Sequence, residues 1–313
     1  MAAKKKTSKS KKTKKEKKEL SKAKKKAKKM EEEVKEKVKK NNSKKSKEIA
    51  KKSLSETGFL KTGVPGFDDL FGKGYGIPEG AAVLVEGGPG SGKTIFSLAT
   101  MNELCKKGKK CLYMSFEEPK ENLVEHMEHF GWPAKKYLEK GLLKIENFSA
   151  LDVSRSIEAL LSAAKKELLI EVDPVLFPKD FDPDFIVIDS LTAIASAFSG
   201  QQSRFRIYME QLFNYLEKHN ITNFLIREVS APSHIGTTFQ EQGEAVSFLS
   251  DGIIVLYNVI YSNGKRSNGI EVLKMRGSNI KKKIVKMEIK SKKGVYVYPD
   301  KIISEDKASF RLT

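Results

Sequence analysis

Cysteine and histidine are scarce in this chain: its 313 residues include 2 cysteines and 4 histidines. Cys105 and Cys111 do not form a C-x-x-C pair, which leaves neither a disulfide framework nor a thiolate metal site. His126, His129, His219 and His234 are scattered, and no two have the spacing of metal ligands. Long apolar runs are missing too. None approaches the roughly 18 residues of a membrane-spanning helix, and the N-terminus lacks the apolar core of a signal peptide. These absences exclude a disulfide-stapled domain, a zinc module and a helical membrane protein. They set the expectation of a soluble, cytoplasmic protein. No internal repeat is present.

What the chain has in excess is lysine, unevenly placed. Of a formal net charge of +19, residues Met1 to Ser53 supply +18, from 25 lysines against 7 glutamates. The other 260 residues carry 34 basic and 33 acidic side chains. Two parts follow: a lysine-rich tail, 1–53, and a nearly neutral globular domain, 54–313. The tail has little to bury beyond Leu20, Ala23, Ala27, Met30, Val34 and Val38, so it is expected to be disordered when alone. Their alternating spacing of three and four permits a transient helix. A lysine block of this kind binds nucleic acid or an acidic partner without sequence preference, or serves only as a solubilising extension.

Beyond the tail, short apolar runs alternate with amphipathic segments. "AAVLVEG" (81–87), "CLYMSF" (111–116), "FIVIDS" (185–190) and "NFLIREV" (223–229) are apolar without polar alternation, as strands covered on both faces require. Helical patterns lie between them at Thr94–Lys107, Lys120–Phe130, Ser154–Leu169 and Arg204–His219. Strand and helix in alternation imply a parallel sheet with right-handed crossovers. The stretch 171–184 holds three prolines and reads as an irregular loop. From Gly252 onward, "GIIVLYNVI", "GIEVLKM", "IVKMEIK" and "GVYVYP" are strands without helices. "SNGKRSNG" (262–269) is the polar hairpin loop joining the first two. They form an antiparallel extension at one edge of the parallel sheet.

"GGPGSGKT", Gly87, Gly88, Pro89, Gly90, Ser91, Gly92, Lys93 and Thr94, follows an apolar strand and opens a helix. It satisfies the phosphate-binding pattern G-x-x-x-x-G-K-[ST] in the strand–loop–helix context that the pattern needs. Its glycines let backbone N–H groups turn inward around phosphates, aided by the positive end of the helix dipole. Lys93 is placed for the β- and γ-phosphates of ATP, and the Thr94 hydroxyl for Mg²⁺. Asp189, ending the apolar run "FIVID", is the acid for the magnesium shell, with water between. Glu117 and Glu118 end the run 111–116. Where open α/β sheets place their ligands, at the carboxyl ends of the strands, such a carboxylate can orient and deprotonate an attacking water.

With these residues placed, the chain resembles the RecA/RadA superfamily of P-loop ATPases, its KaiC branch most closely, from about Thr62 to Val297. "TGVPGFDDLFGKGYGIPEG" (62–80) is similar to the family's entry segment, with a small insertion around Lys73 to Tyr75. "SFEEP" aligns with its paired catalytic glutamates, which implies that role for Glu117 and Glu118. "KMRGS" (274–278) aligns with its K-x-R finger, which implies that Lys274 and Arg276 reach the nucleotide of the next subunit in a ring such as a hexamer. Their spacing of two puts both cations on one face of a strand. Glu228 falls near a family glutamate that follows a sensor strand, although Arg227 stands where a small polar residue is usual. Where the family's clock protein has a histidine near the neighbouring base, this chain has Asn279, Ile280 and Lys281. Its self-phosphorylated Ser–Thr pair would fall at Ser247 and Phe248 and is not intact. The resemblance implies an α/β fold, a mainly parallel RecA-like sheet with helices on both faces and the antiparallel extension. It also implies a slow, Mg²⁺-dependent ATPase. Two alternatives stay open: a RadA-like recombination or signalling accessory in which ATP gates partner or DNA binding, and a self-phosphorylating kinase.

Overall fold

Alternation along each apolar strand decides the layering. In the strand β3 (Ala82–Gly87), Val83 and Val85 point to one side of the sheet and Ala82 and Leu84 to the other, all buried. Such a run is stable only when helices cover both faces. These are residues of a computed structural model that describes 58–149, 178, 180–198, 202–229, 246–247, 249–261, 263–303 and 310–312. The tail 1–53, the helix expected at Ser154–Leu169 and most of the stretch 171–184 lie outside the described residues.

Two short strands, β1 (Phe59–Leu60) and β2 (Ile77–Pro78), pair with each other. Between them the entry segment is held by Asp68, whose carboxylate accepts from Thr62 and Gly63 backbone N–H groups at 3.0 and 2.9 Å. The main sheet follows. After β3 come helix α1 (Lys93–Lys106), strand β4 (Cys111–Ser115), helices α2 (Lys120–His129) and α3 (Ala134–Glu139), and strand β5 (Leu143–Asn147). Then come β6 (Phe185–Asp189), α4 (Leu191–Ser196), α5 (Gln202–Lys218) and β7 (Thr222–Glu228). Strands β8 (Gly252–Tyr261), β9 (Arg266–Met275), β10 (Val285–Lys290), β11 (Gly294–Ile302) and β12 (Phe310–Leu312) complete the chain. The sheet order is β11-β10-β9-β8-β3-β7-β6-β4-β5, with β12 pairing β8.

All pairs from β5 to β8 are parallel, and those beyond β8 antiparallel. Helices α1, α2 and α3 pack on one face and α4 and α5 on the other. On the first face Phe96 of α1 lies 5.8 Å from Phe224 of β7, which lies 4.9 Å from Phe185 of β6. The fold is the RecA-like P-loop type, with its antiparallel extension.

Three local expectations need correction. The run at 252–260 is the last parallel strand as well as the first of the antiparallel extension, because Gly252–Leu256 pair with β3 before the strand continues past it. Arg266–Gly269, read as loop, belong to β9: polar side chains on an exposed strand end carry no apolar signal. Arg276 lies just past β9 in a turn, so it and Lys274 do not share the face of one strand.

The extension reaches back over α1. Met287 and Val285 of β10 and Val295 and Val297 of β11 join the α1-side core. The hairpin end at Gly294 packs against Trp132, where a Cβ would come within 2.5 Å of the indole. Ile289 is thereby set beside Gly92 at the start of α1.

Candidate nucleotide site

The loop after β3 is shaped by close approaches. A Cβ on Gly87 would stand 2.4 Å from the Leu256 carbonyl oxygen of β8 and 2.6 Å from Ser91 Oγ, so only glycine lets β3 lie this near β8. Gly92 has φ +99°, a left-handed conformation that costs glycine little, and from it α1 starts with Lys93 as its first residue. Asn258, on the part of β8 that continues past β3, donates from Nδ2 to the Pro89 carbonyl at 3.0 Å and steadies the loop from the side. Asn268 of β9 donates in turn to Asn258 Oδ1 at 3.2 Å.

Lys93 is buried, and its ammonium donates to the carbonyl oxygens of Gly87 and Gly88 at 3.0 Å each and to Glu228 Oε1 at 3.3 Å. The Thr94 hydroxyl donates to Asp189 Oδ2 at 2.9 Å across 95 residues of sequence. Tyr113 of β4 donates its phenol to the same Asp189 oxygen at 2.5 Å. Burial, with the Asp189 charge beside it, pushes the Tyr113 phenol far above its ordinary range, so it remains a donor. Burial also raises the Asp189 carboxyl above its usual range; the Tyr113 and Thr94 hydroxyls oppose the rise, Glu117 adds to it and Lys93 opposes it. A buried carboxylate with this balance is stabilised by a further positive charge.

Strand β4 is separated from β3 by β7 and β6, so its tip opens beside Asp189 rather than beside the glycine loop. There the two glutamates part. Glu117 accepts a hydrogen bond from Ser190 Oγ, next to Asp189. Ser190 also caps α4, its Oγ accepting from Ala193 N–H at 3.2 Å. Glu118 has its backbone tied to Ser115 Oγ and to Asn147 Nδ2, and its Oε2 lies 3.5 Å from His126 Nδ1 on α2. Both lie past the end of β4, in the bend that follows Ser115, and it is this bend that parts them, with Glu117 toward the residue after Asp189 and Glu118 toward α2.

The other two candidates are elsewhere. Lys274 donates to the carbonyl oxygens of Ser247 and Ser250 at 3.1 and 2.6 Å, and Arg276 Nη1 lies 3.6 Å from Asp251 Oδ1. Burial first, and then the neighbouring Arg276 charge, hold the Lys274 ammonium below its ordinary range. Register fixes their distance from the loop. Met275 pairs with Gly252, which pairs with Val83, four residues before Gly87. At about 3.3 Å per residue that is roughly 13 Å along the sheet, at the end opposite the loop.

Sequence reasoning did not single out Ser190, Tyr113 or Asn258. The signal for Tyr113 was its parity with Ser115 on a strand whose tip was under scrutiny; Ser190 and Asn258 offered none. Arg227, unexpected at the end of β7, is paired with buried Glu86 of β3 at 2.5 Å and donates to Ser247 Oγ at 3.1 Å. Two registered neighbours of opposite charge account for a residue that looked out of place. Ser247 is described and Phe248 lies outside the described residues.

The residues fit a nucleoside polyphosphate and a hard cation. Ser91 Oγ is buried with no partner among the described residues, inside a glycine loop that carries the Lys93 charge. Among the described residues no group of three or more His, Cys, Asp or Glu could hold a metal. The Thr94 hydroxyl and the Asp189 carboxylate are hard oxygen donors that fit Mg²⁺, which takes one or two protein oxygens and fills its shell with water and substrate phosphates.

Comparison with known proteins agrees with this geometry. The family model described as the KaiC ATPase matches residues 60–302, and one described as a divergent DnaB-like ATPase matches residues 6–113. The chain is 31% identical over 253 residues to UPF0273 protein PH0284 of Pyrococcus horikoshii, covering 79% of this chain and 97% of that one. It is 29% identical to the circadian clock protein KaiC3 of Synechocystis over 77% of this chain but 45% of the clock protein. The solved structure of KaiC-like protein PH0186 of Pyrococcus horikoshii superposes with a TM-score of 0.60 at 27% identity, covering 77% of this chain and 99% of that one. With a family model matched over residues 60–302 and a relative 31% identical over 79% of this chain, the chain belongs to the KaiC family of ATPases.

Proposed function

We propose that the chain binds ATP with Mg²⁺ at Gly87–Thr94 and hydrolyses it slowly at the interfaces of a ring of identical subunits in the cytoplasm. One observation carries the reading. Lys93, Thr94, Asp189 and Glu117, from three separate elements, meet at one end of the sheet, while Lys274 and Arg276 sit at the other. The loop N–H groups and Lys93 bind the β- and γ-phosphates. Thr94 and Asp189 would hold Mg²⁺, which when bound neutralises phosphate charge. Glu117 orients a water and accepts its proton as the water oxygen bonds to the γ-phosphorus and the bridging P–O bond to ADP breaks. Glu118 anchors the strand tip. At roughly 13 Å along the sheet, Lys274 and Arg276 cannot serve their own cradle and would complete that of a neighbour, where cationic side chains stabilise charge in phosphoryl transfer.

The test is complementation. The Arg276→Ala protein keeps its cradle and the Lys93→Ala protein keeps its finger, so each is inactive alone and their mixture regains part of the activity. Activity per subunit rises with protein concentration as rings form, and ATP favours assembly. A fully active monomer at every dilution, or a mixture no more active than its parts, removes the ring-interface mechanism.

A further inference from the structure

Lys93 has no donor to spare. An ammonium carries three N–H groups, and in this state two go to the loop carbonyls of Gly87 and Gly88 and the third to Glu228. An arriving polyphosphate therefore meets a lysine that already has an anionic partner. Two anions cannot both approach one ammonium without repelling each other, so one must leave.

Which one leaves is set by burial and anchoring. The Lys93 side chain is 7% exposed and cannot withdraw, whereas that of Glu228 is 41% exposed and can turn its carboxylate into water. The backbone beneath Glu228 does not share that freedom. Its N–H donates to Thr192 Oγ1 of α4 at 2.9 Å, and the following Val229 N–H donates to the Gly87 carbonyl at 3.3 Å. One residue earlier, Arg227 projects from the opposite face of β7 into its pair with buried Glu86. The strand tip is thus pinned on both faces and by α4. Within it, the solvent-accessible Glu228 side chain is the part able to move.

We infer that Glu228 is the resident counter-ion of Lys93, which entering phosphate displaces, and that it sets the affinity of the site for nucleotides. This rests on the proposed ATP-binding role of Gly87–Thr94 and adds what competes there. In the empty site Glu228 compensates a buried ammonium. In the occupied site the β- and γ-phosphates take that place, and the freed carboxylate stands nearby as a repulsive charge. Its presence weakens every ligand that uses Lys93 and stabilises the empty protein. The two effects have opposite sign, which separates this role from a merely structural one.

The experiment is calorimetric titration of the full chain, wild type and Glu228→Gln, with ATP, ADP, pyrophosphate and AMP in the presence of Mg²⁺, alongside thermal melts. Glutamine keeps the size and an acceptor oxygen but removes the charge. The variant is expected to bind ATP, ADP and pyrophosphate roughly tenfold tighter, the scale of a partly desolvated charge pair, and to gain nothing for AMP, which lacks the phosphates that meet Lys93. Its Tm without nucleotide falls, while the rise in Tm on adding ATP grows. Glu228→Ala gives the same direction and guards against a glutamine that re-forms the contact. Unchanged or weaker polyphosphate affinity in both variants, or an equal gain for AMP, overturns the inference. A wild-type chain that binds none of these ligands instead overturns the ATP-binding role on which it rests.

Discussion

Adjacent residues here do different work because the bend after β4 turns Glu117 and Glu118 to different neighbours. Glu117 reaches Ser190 beside the buried Asp189, while Glu118 turns to His126. The Glu117→Gln protein is therefore expected to bind ATP nearly as the wild type does and to hydrolyse it about 10²–10⁴-fold more slowly, the usual range for a lost general base. Glu118→Gln should slow it far less. Single-turnover rates of the two variants check this, and equal losses would return the base to the pair as a unit. Lys93→Ala removes the one cation inside the loop, so equilibrium binding should show ATP affinity lost. At Asp189, the Tyr113 phenol favours the charged carboxylate against the effect of burial. Tyr113→Phe should then need a higher Mg²⁺ concentration for half-maximal ATPase rate, read from a magnesium titration.

At the level of elements, the site depends on how β7 and β6 are held under α1. Phe224 is fully buried between the rings of Phe96 and Phe185, joining the strand that ends in Glu228 to the helix that begins with Lys93. Phe224→Ala leaves a cavity that the flanking strands cannot close, and a loss of about 3–5 kcal/mol in unfolding free energy is expected. A urea titration measures it as a lowered midpoint at unchanged slope. The short helix α4 ties two parts of the site together, since Ser190 at its N-cap holds Glu117 and Thr192 in its first turn holds the backbone of Glu228.

Over the whole molecule, charge and chemistry are separated along the chain. Residues 1–53 hold +18 of the +19 charges, and every candidate site residue lies beyond them in the sequence. Deleting residues 1–53 should leave the ATPase rate of the remainder close to that of the full chain. Any affinity of the full chain for a DNA or RNA oligonucleotide, and the steepness with which it falls with salt, should drop together on this deletion, because lysines that displace counter-ions set both. Fluorescence anisotropy at several salt concentrations is the measurement. A truncated chain with the same salt dependence would place the binding surface in the nearly neutral domain.

The local order was legible in the sequence. Strand, glycine loop and helix at 82–106 follow from an apolar run, from glycines where close approach and positive φ require them, and from a helical pattern, all within one continuous stretch of 25 residues. The apolar runs ending in Ser115 and Asp189 announced strands covered on both faces, and hence the α/β layering. Short elements such as α3 and β5 were not legible: α3 buries only Ala134 and Tyr137, and in β5 Lys144 and Glu146 alternate with Leu143 and Ile145, so neither shows the continuous apolar run of β4 or β6. Nor could sequence separate Glu117 from Glu118, place Arg227 against Glu86, or bring Glu228 to Lys93. Those depend on which strands become neighbours. Strand order is decided by how the helices and both faces pack together, and composition and spacing along one segment fix its period but not the partner it will meet.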